Sequence, residues 1–127
     1  MKTRHMVGLA MLAGTLVGAS VMQALHAQAK PQVYYIAEID VSNPEAYLKE
    51  FAPRARAIIN AAGGHFLVAG GKIAPFDGEP PKRVAVSVWE SMEKIQAWRA
   101  NAEFQEVRKI GEKYAKFREF AVEGLPQ

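Results

Sequence analysis

The chain has 127 residues, half of them hydrophobic and 23% charged, enough for one folded domain with an appendage and too apolar for a mostly disordered chain. It contains no cysteine, which excludes disulfides, thiolate metal sites and a cysteine nucleophile. Its formal charge of +3 comes from 16 basic and 13 acidic residues. Without Lys2 and Arg4 the 16 fall to 14 and the charge to +1, so the basic balance makes no case for a nucleic-acid partner.

Lys2, Arg4 and His5 precede an apolar run from Met6 to about Leu25, free of Asp, Glu, Lys and Arg, which closes on Ala27-Gln28-Ala29. A basic start, an apolar stretch and small residues in A-x-A spacing describe a secretory signal peptide over residues 1–29. An uncleaved anchor is the competing reading, since about 20 residues can just span a bilayer. Gly8, Gly14, Gly18, Ser20 and Gln23 dilute the apolarity and favour cleavage. The expected product is a periplasmic or secreted domain over residues 30–127, without membrane contact.

Val33 to Val41 is β-branched and aromatic, a strand that sends Tyr35, Ala37, Ile39 and Val41 one way and Tyr34, Ile36, Glu38 and Asp40 the other. Asn43-Pro44-Glu45 supplies a cap, a first-turn proline and an acid at the positive helix end. The helix that follows carries Tyr47, Leu48, Phe51, Ala55, Ile58 and Ile59 at helical spacing and ends at Gly63-Gly64. Pro53 cannot donate to the carbonyl four residues back, so a kink or break is expected there.

His65 to Gly70 reads as a second strand, with Phe66 and Val68 opposite in face to His65 and Leu67. A loop framed by Gly70-Gly71, Asp77-Gly78 and Pro80-Pro81 follows, with a strand remnant expected at residues 72–74. Arg83 to Trp89 is the third strand. Ser91 caps a helix with Met92, Ile95 and Trp98 on its apolar stripe, and Asn101 breaks or re-caps it before Phe104, Val107 and Ile110. Phe117 to Val122 is the last strand. The order β-α-β-β-α-β, with right-handed crossovers, gives an α+β ferredoxin-like sandwich.

Tyr35 to Val41 with Asn43-Pro44-Glu45-Ala46-Tyr47, the run Gly63 to Gly71, Pro81-Lys82-Arg83-Val84 and Ala97-Trp98 together resemble the domain-of-unknown-function 1330 family. The resemblance implies a ferredoxin-like fold that pairs face to face as a homodimeric α/β barrel, and it implies no established activity. Ala69, Arg99 and Phe104 depart from the family pattern, which implies a drier pocket in this member.

Glu38 and Asp40 share one strand face, spaced like a catalytic carboxylate pair. In the barrel reading Tyr34, Ile36 and Glu38 look into the dimer cavity, where a partly desolvated carboxylate gains basicity. Glu38 is the first candidate base, free or bridged to Arg83 or another cation. His65 is the second, as the one histidine outside the signal, against the plainer reading of a sheet-edge residue. Tyr34, Ile36, Asp40, Arg83 and Trp98 are the ligand-pocket candidates.

A lone histidine makes no histidine-rich metal centre, and Gly71-Lys72 lacks the flanking residues of a phosphate-binding loop, so neither a metal nor another cofactor is called for. Arg108 with Glu112 reads as a solvated, ion-paired helix face. Three functions stand open. The chain is a homodimer holding a small apolar or aromatic ligand, a cofactor-independent monooxygenase- or isomerase-like enzyme, or a structural protein. Fold alone does not choose among them.

Overall fold

The computed structural model describes residues 31–126, so the expected signal sequence lies outside the described residues. Four strands, β1 (Val33–Val41), β2 (His65–Ala69), β3 (Arg83–Trp89) and β4 (Ala115–Glu123), form one sheet. Its order is β2-β3-β1-β4, and every neighbouring pair is antiparallel. The helices α1 (Pro44–Ala46), α2 (Ala52–Ala62), α3 (Met92–Ala100) and α4 (Ala102–Glu112) pack on one face, so the architecture is the α+β ferredoxin-like sandwich. None of the described helices is long and apolar enough to cross a membrane.

The local signals act as their chemistry dictates. The Asn43 side chain accepts from the Ala46 amide, Ser91 from Lys94, and Asn101 from Phe104, so the starts of α1, α3 and α4 each have one orphan donor satisfied. Asn101 is also extended, at φ −63° and ψ 128°, which separates α3 from α4. Gly63 closes α2 in the left-handed conformation at φ 112°.

The expected disturbance at Pro53 takes a specific form. Residues Tyr47–Phe51, between α1 and α2, are wound as a π-helical turn in which the Ala52 amide reaches back to the Tyr47 carbonyl. Pro53 follows directly and has no amide hydrogen to give to a carbonyl within that turn. The wider turn buries Tyr47 and Phe51 together while Lys49 and Glu50 stay exposed.

Two expectations need correcting. Residues 72–74 form no strand, because the Gly70-Gly71 pair, at φ 84° and 92°, turns the chain away from β3. A register shift between Phe66 and Val68 breaks the alternation in β2: Phe66 pairs with Ser87, and Val68 pairs with Val86. The two residues therefore face opposite sides of the sheet, not one.

The core lies between sheet and helices, where Ile39, Phe51, Ile59, Trp89, Trp98, Phe104 and Val107 are buried. Tyr34, Ile36, Val84, Val86 and Val88 are half-buried on the other face, and Phe120 and Val122 are exposed there. No described helix covers that side.

Candidate functional site

The helix-facing surface of the sheet is a grid whose centre is small. Ala37 of β1 pairs with Ala85 of β3 and Glu119 of β4, and Ala69 of β2 pairs with Ala85. Ser87 lies beside Tyr35 in the next row. Side chains this short cannot reach the helices across a layer spacing of about 10 Å, and a cavity of about 430 Å³ remains between them. The π turn contributes Tyr47, Leu48 and Phe51 to its wall, α3 contributes Trp98, and α4 contributes Phe104 and Arg108.

Glu119 is the carboxylate of this cavity, with its side chain only 11% exposed. One oxygen, Oε2, accepts from the Tyr35 hydroxyl and lies 3.3 Å from Arg99 Nη1, and the other accepts from Arg108 Nη1 at 2.6 Å. Charge-assisted bonds of this kind are the strong ones in a desolvated setting. Burial pushes the Tyr35 ionisation well above the ordinary tyrosine value, and the neighbouring Glu119 charge and hydrogen bond add to it, while Arg99 and Arg108 oppose it. Tyr35 is therefore a neutral hydroxyl donor at physiological pH. The Arg108 guanidinium lies over the Phe117 ring, 3.8 Å from its centroid.

A second polar pair lines the same cavity. The Arg83 guanidinium carbon sits 5.4 Å from the centre of the Tyr47 ring. Burial raises the Tyr47 ionisation, and the Arg83 charge draws it partly back down. Trp98 meets Tyr35 edge to face at 4.9 Å and stacks on Trp89 at 5.1 Å. Three buried N–H groups of cavity residues have no acceptor among the described residues: Arg83 Nε, Trp98 Nε1 and Arg108 Nε.

The structure divides the residues singled out in the sequence. Arg83 and Trp98 line the cavity. Tyr34, Ile36, Glu38 and Asp40 lie on the opposite face of β1, with Glu38 Oε2 3.6 Å from Arg118 Nε. Glu38 and Arg83 are on different sides of the sheet and do not meet. His65 is an exposed residue of the edge strand and pairs with Val88. The barrel reading looked for a cavity on the Glu38 face; the cavity found within one chain is on the helix side, because the small residues of the sheet are there.

Glu119, Tyr35 and Tyr47 were not singled out as site residues. The parity of β4 carries a signal for the first, since Glu119 stands between Phe117 and Ala121 on the inward face. Arg108 corrects a second reading. Its Nε is 3.8 Å from Glu112, as an exposed helix pair predicts, but its Nη1 turns inward to Glu119. Two of the positions that depart from the family pattern, Ala69 and Phe104, line the cavity, and the third, Arg99, bonds Glu119 at its margin. Among the described residues no group of three His, Cys, Asp or Glu side chains is placed to hold a metal ion.

The family model for the domain of unknown function DUF1330 matches residues 32–125, the whole sheet and helix layer. The chain belongs to the DUF1330 family. None of the curated proteins compared with this DUF1330 domain matches it. Among solved structures it is similar to a protein of unknown function from Rhodopseudomonas palustris, at 12% identity and a TM-score of 0.60, covering 85% of this chain and 94% of that one. It is also similar to SnoaB, a cofactor-independent oxygenase from Streptomyces nogalater, at 12% identity and a TM-score of 0.57, covering 76% of this chain and 96% of that one. At these identities the likeness is one of fold.

Proposed function

We propose that this DUF1330 domain binds a small, largely aromatic molecule in the cavity between its sheet and its helices. The observation that carries the reading is the sheet floor of Ala37, Ala85 and Ser87 beneath a wall of Tyr47, Phe51, Trp98 and Phe104. A well-packed core fills such a space; here it stays open at about 430 Å³, within the roughly 300–1,000 Å³ usual for small-molecule sites. The apolar outer face of the sheet supports pairing of two copies, which leaves each cavity within its own chain. The basic, apolar and A-x-A pattern of residues 1–29 supports export, and an intact-mass measurement on secreted protein missing the first 27 or 29 residues is the outcome that fits.

The protein's two tryptophans are stacked on one another and Trp98 lines the cavity, so binding is read from their fluorescence. A neutral bicyclic probe, 2-naphthamide, is expected to quench saturably in the natural sequence. Ala85→Leu fills the floor and should abolish the quench while stability holds or rises by about 0.5–2 kcal/mol. Equal quenching in both proteins would place the probe elsewhere and overturn the reading.

Catalysis on the bound molecule is the second reading, of which the cofactor-independent oxygenation named for SnoaB is the relevant type. The observation in its favour is that two tyrosine hydroxyls and one carboxylate, Tyr35, Tyr47 and Glu119, line the cavity. The proton-handling groups would then be these, since neither Glu38 nor His65 lines it. Oxygen uptake with aromatic enols, measured in the natural sequence and in Tyr35→Phe, tests it; no uptake above buffer would leave the chain a binder.

A further inference from the structure

Arg83 is a half-buried cation of the cavity wall without a counter-charge among the described residues; Arg56, also on the wall and also without an ion pair, is exposed to water and lies over the Phe66 ring. Arg108 has Glu119 at 2.6 Å and Glu112 at 3.8 Å, and Arg99 has Glu119 at 3.3 Å. Among the described residues no carboxylate comes within ion-pair distance of Arg83, and its Nε has no acceptor. A guanidinium cannot shed its proton to escape an apolar setting, so its charge needs a counter-charge or a π face. The Tyr47 ring offers the π face and its hydroxyl accepts from the guanidinium, but both are neutral, and the buried Nε stays without an acceptor. The fork is also held in place: a Cβ on Gly70 would lie 2.5 Å from Arg83 Nη1, so the guanidinium is packed against the backbone where β2 ends.

We propose that the molecule bound in this cavity is an oxyanion, a carboxylate or a phenolate or enolate of like charge, anchored by Arg83 beside the Tyr47 hydroxyl. The proposal rests on the cavity reading above and adds the charge of the ligand. Its aromatic body meets Trp98 and Phe104, while its anionic oxygen supplies the acceptor that Arg83 lacks. Tyr47 is protonated at neutral pH and donates to the same oxygen. The Tyr35–Glu119 pair cannot take that role, because the Glu119 charge already occupies its donors and repels a second anion.

The test compares 2-naphthoate with 2-naphthamide, alike in shape and different in charge, by tryptophan fluorescence at pH 7. In the natural sequence the carboxylate is expected to bind at least tenfold more tightly than the amide. In Arg83→Gln that ratio should fall to near one, with amide binding little changed. Arg83→Lys keeps the charge and loses the fork, and should retain an intermediate preference. Equal affinities in the natural sequence overturn the oxyanion proposal while upholding the cavity reading. Binding of neither probe overturns both. The comparison within the natural sequence decides the point even if the variants fold poorly, and a thermal melt of each variant identifies that case.

Discussion

Tyr35 reaches Glu119 diagonally across the β1–β4 ladder: the residue opposite Glu119 is Ala37, and the residue opposite Tyr35 is Ala121. Alanine at both directly opposed positions clears the path for the longer side chains. The diagonal bond also leaves the middle of the sheet empty, since the tyrosine leans to one side of it. A hydrogen bond between two half-buried groups and the presence of a cavity thus have one cause.

Alkaline pH should weaken the fold through this bond. The Tyr35 ionisation is raised in the folded protein by burial and by Glu119, so above about pH 10 the unfolded chain loses that proton first. The stabilisation is complete below pH 10 and is lost as pH climbs towards the raised folded value. Denaturant titrations at several alkaline pH values should show stability declining from about pH 10. Tyr35→Phe should flatten that decline and cost about 0.5–1.5 kcal/mol at neutral pH. An identical decline in the variant would assign the effect to other groups.

Glu119→Gln strands more than one partner. Arg108, whose side chain is 18% exposed, loses its closest counter-charge, and Arg99 and Tyr35 lose an acceptor. Hydrogen bonds to charged groups are worth about 1.5–3 kcal/mol, and a loss in that range should appear in urea unfolding at pH 7. A variant as stable as the natural sequence would mean that water serves these donors equally well.

Gly111→Ala sets two effects against each other. Within α4 the change gains about 1 kcal/mol in helix propensity. The new Cβ would lie 2.6 Å from the Phe51 ring, which is buried and packed between Tyr47 and Phe117, so the ring must shift into the cavity that it walls. Overpacking costs about 1–3 kcal/mol, so a net loss of stability is expected, with altered chemical shifts across residues 47–51.

Ile36→Lys tests the outer face of the sheet. Ile36 lies between Val86 and Phe120 in an apolar patch, and a charge buried there without a partner costs on the order of several kcal/mol. Sedimentation should show a dimer for the natural sequence and a monomer for the variant. A variant that remains dimeric would remove this patch from the interface.

Much of the fold was written in local chemistry. The alternation of Val33 to Val41, the caps at Asn43, Ser91 and Asn101, and the Gly63-Gly64 stop each act within a few residues, and each appears where the sequence puts it. The bulge at Phe66–Val68 did not show, because it arises from pairing with β3 and not from β2 itself. The site was legible only in part. Arg83 and Trp98 sit on readable strand and helix faces. Glu119 matters through Arg108, Arg99 and Tyr35, which approach it from three elements, and no spacing along the chain announces that meeting.

The π turn at Tyr47–Phe51 makes the first helix one residue longer than a regular winding of the same length of axis. Removing either Lys49 or Glu50, both exposed, would take out the extra residue, and Pro53 would still withhold one hydrogen bond from the shortened turn. The flanking chain would keep nearly its facing, but Tyr47 and Phe51, now four residues apart in the wide turn, would stand three apart in a narrower one. Tyr47 would shift against the Arg83 guanidinium, and the cavity wall that it forms with Phe51 would change shape. In this fold a single inserted residue shapes the part of the helix layer that walls a cavity over the sheet.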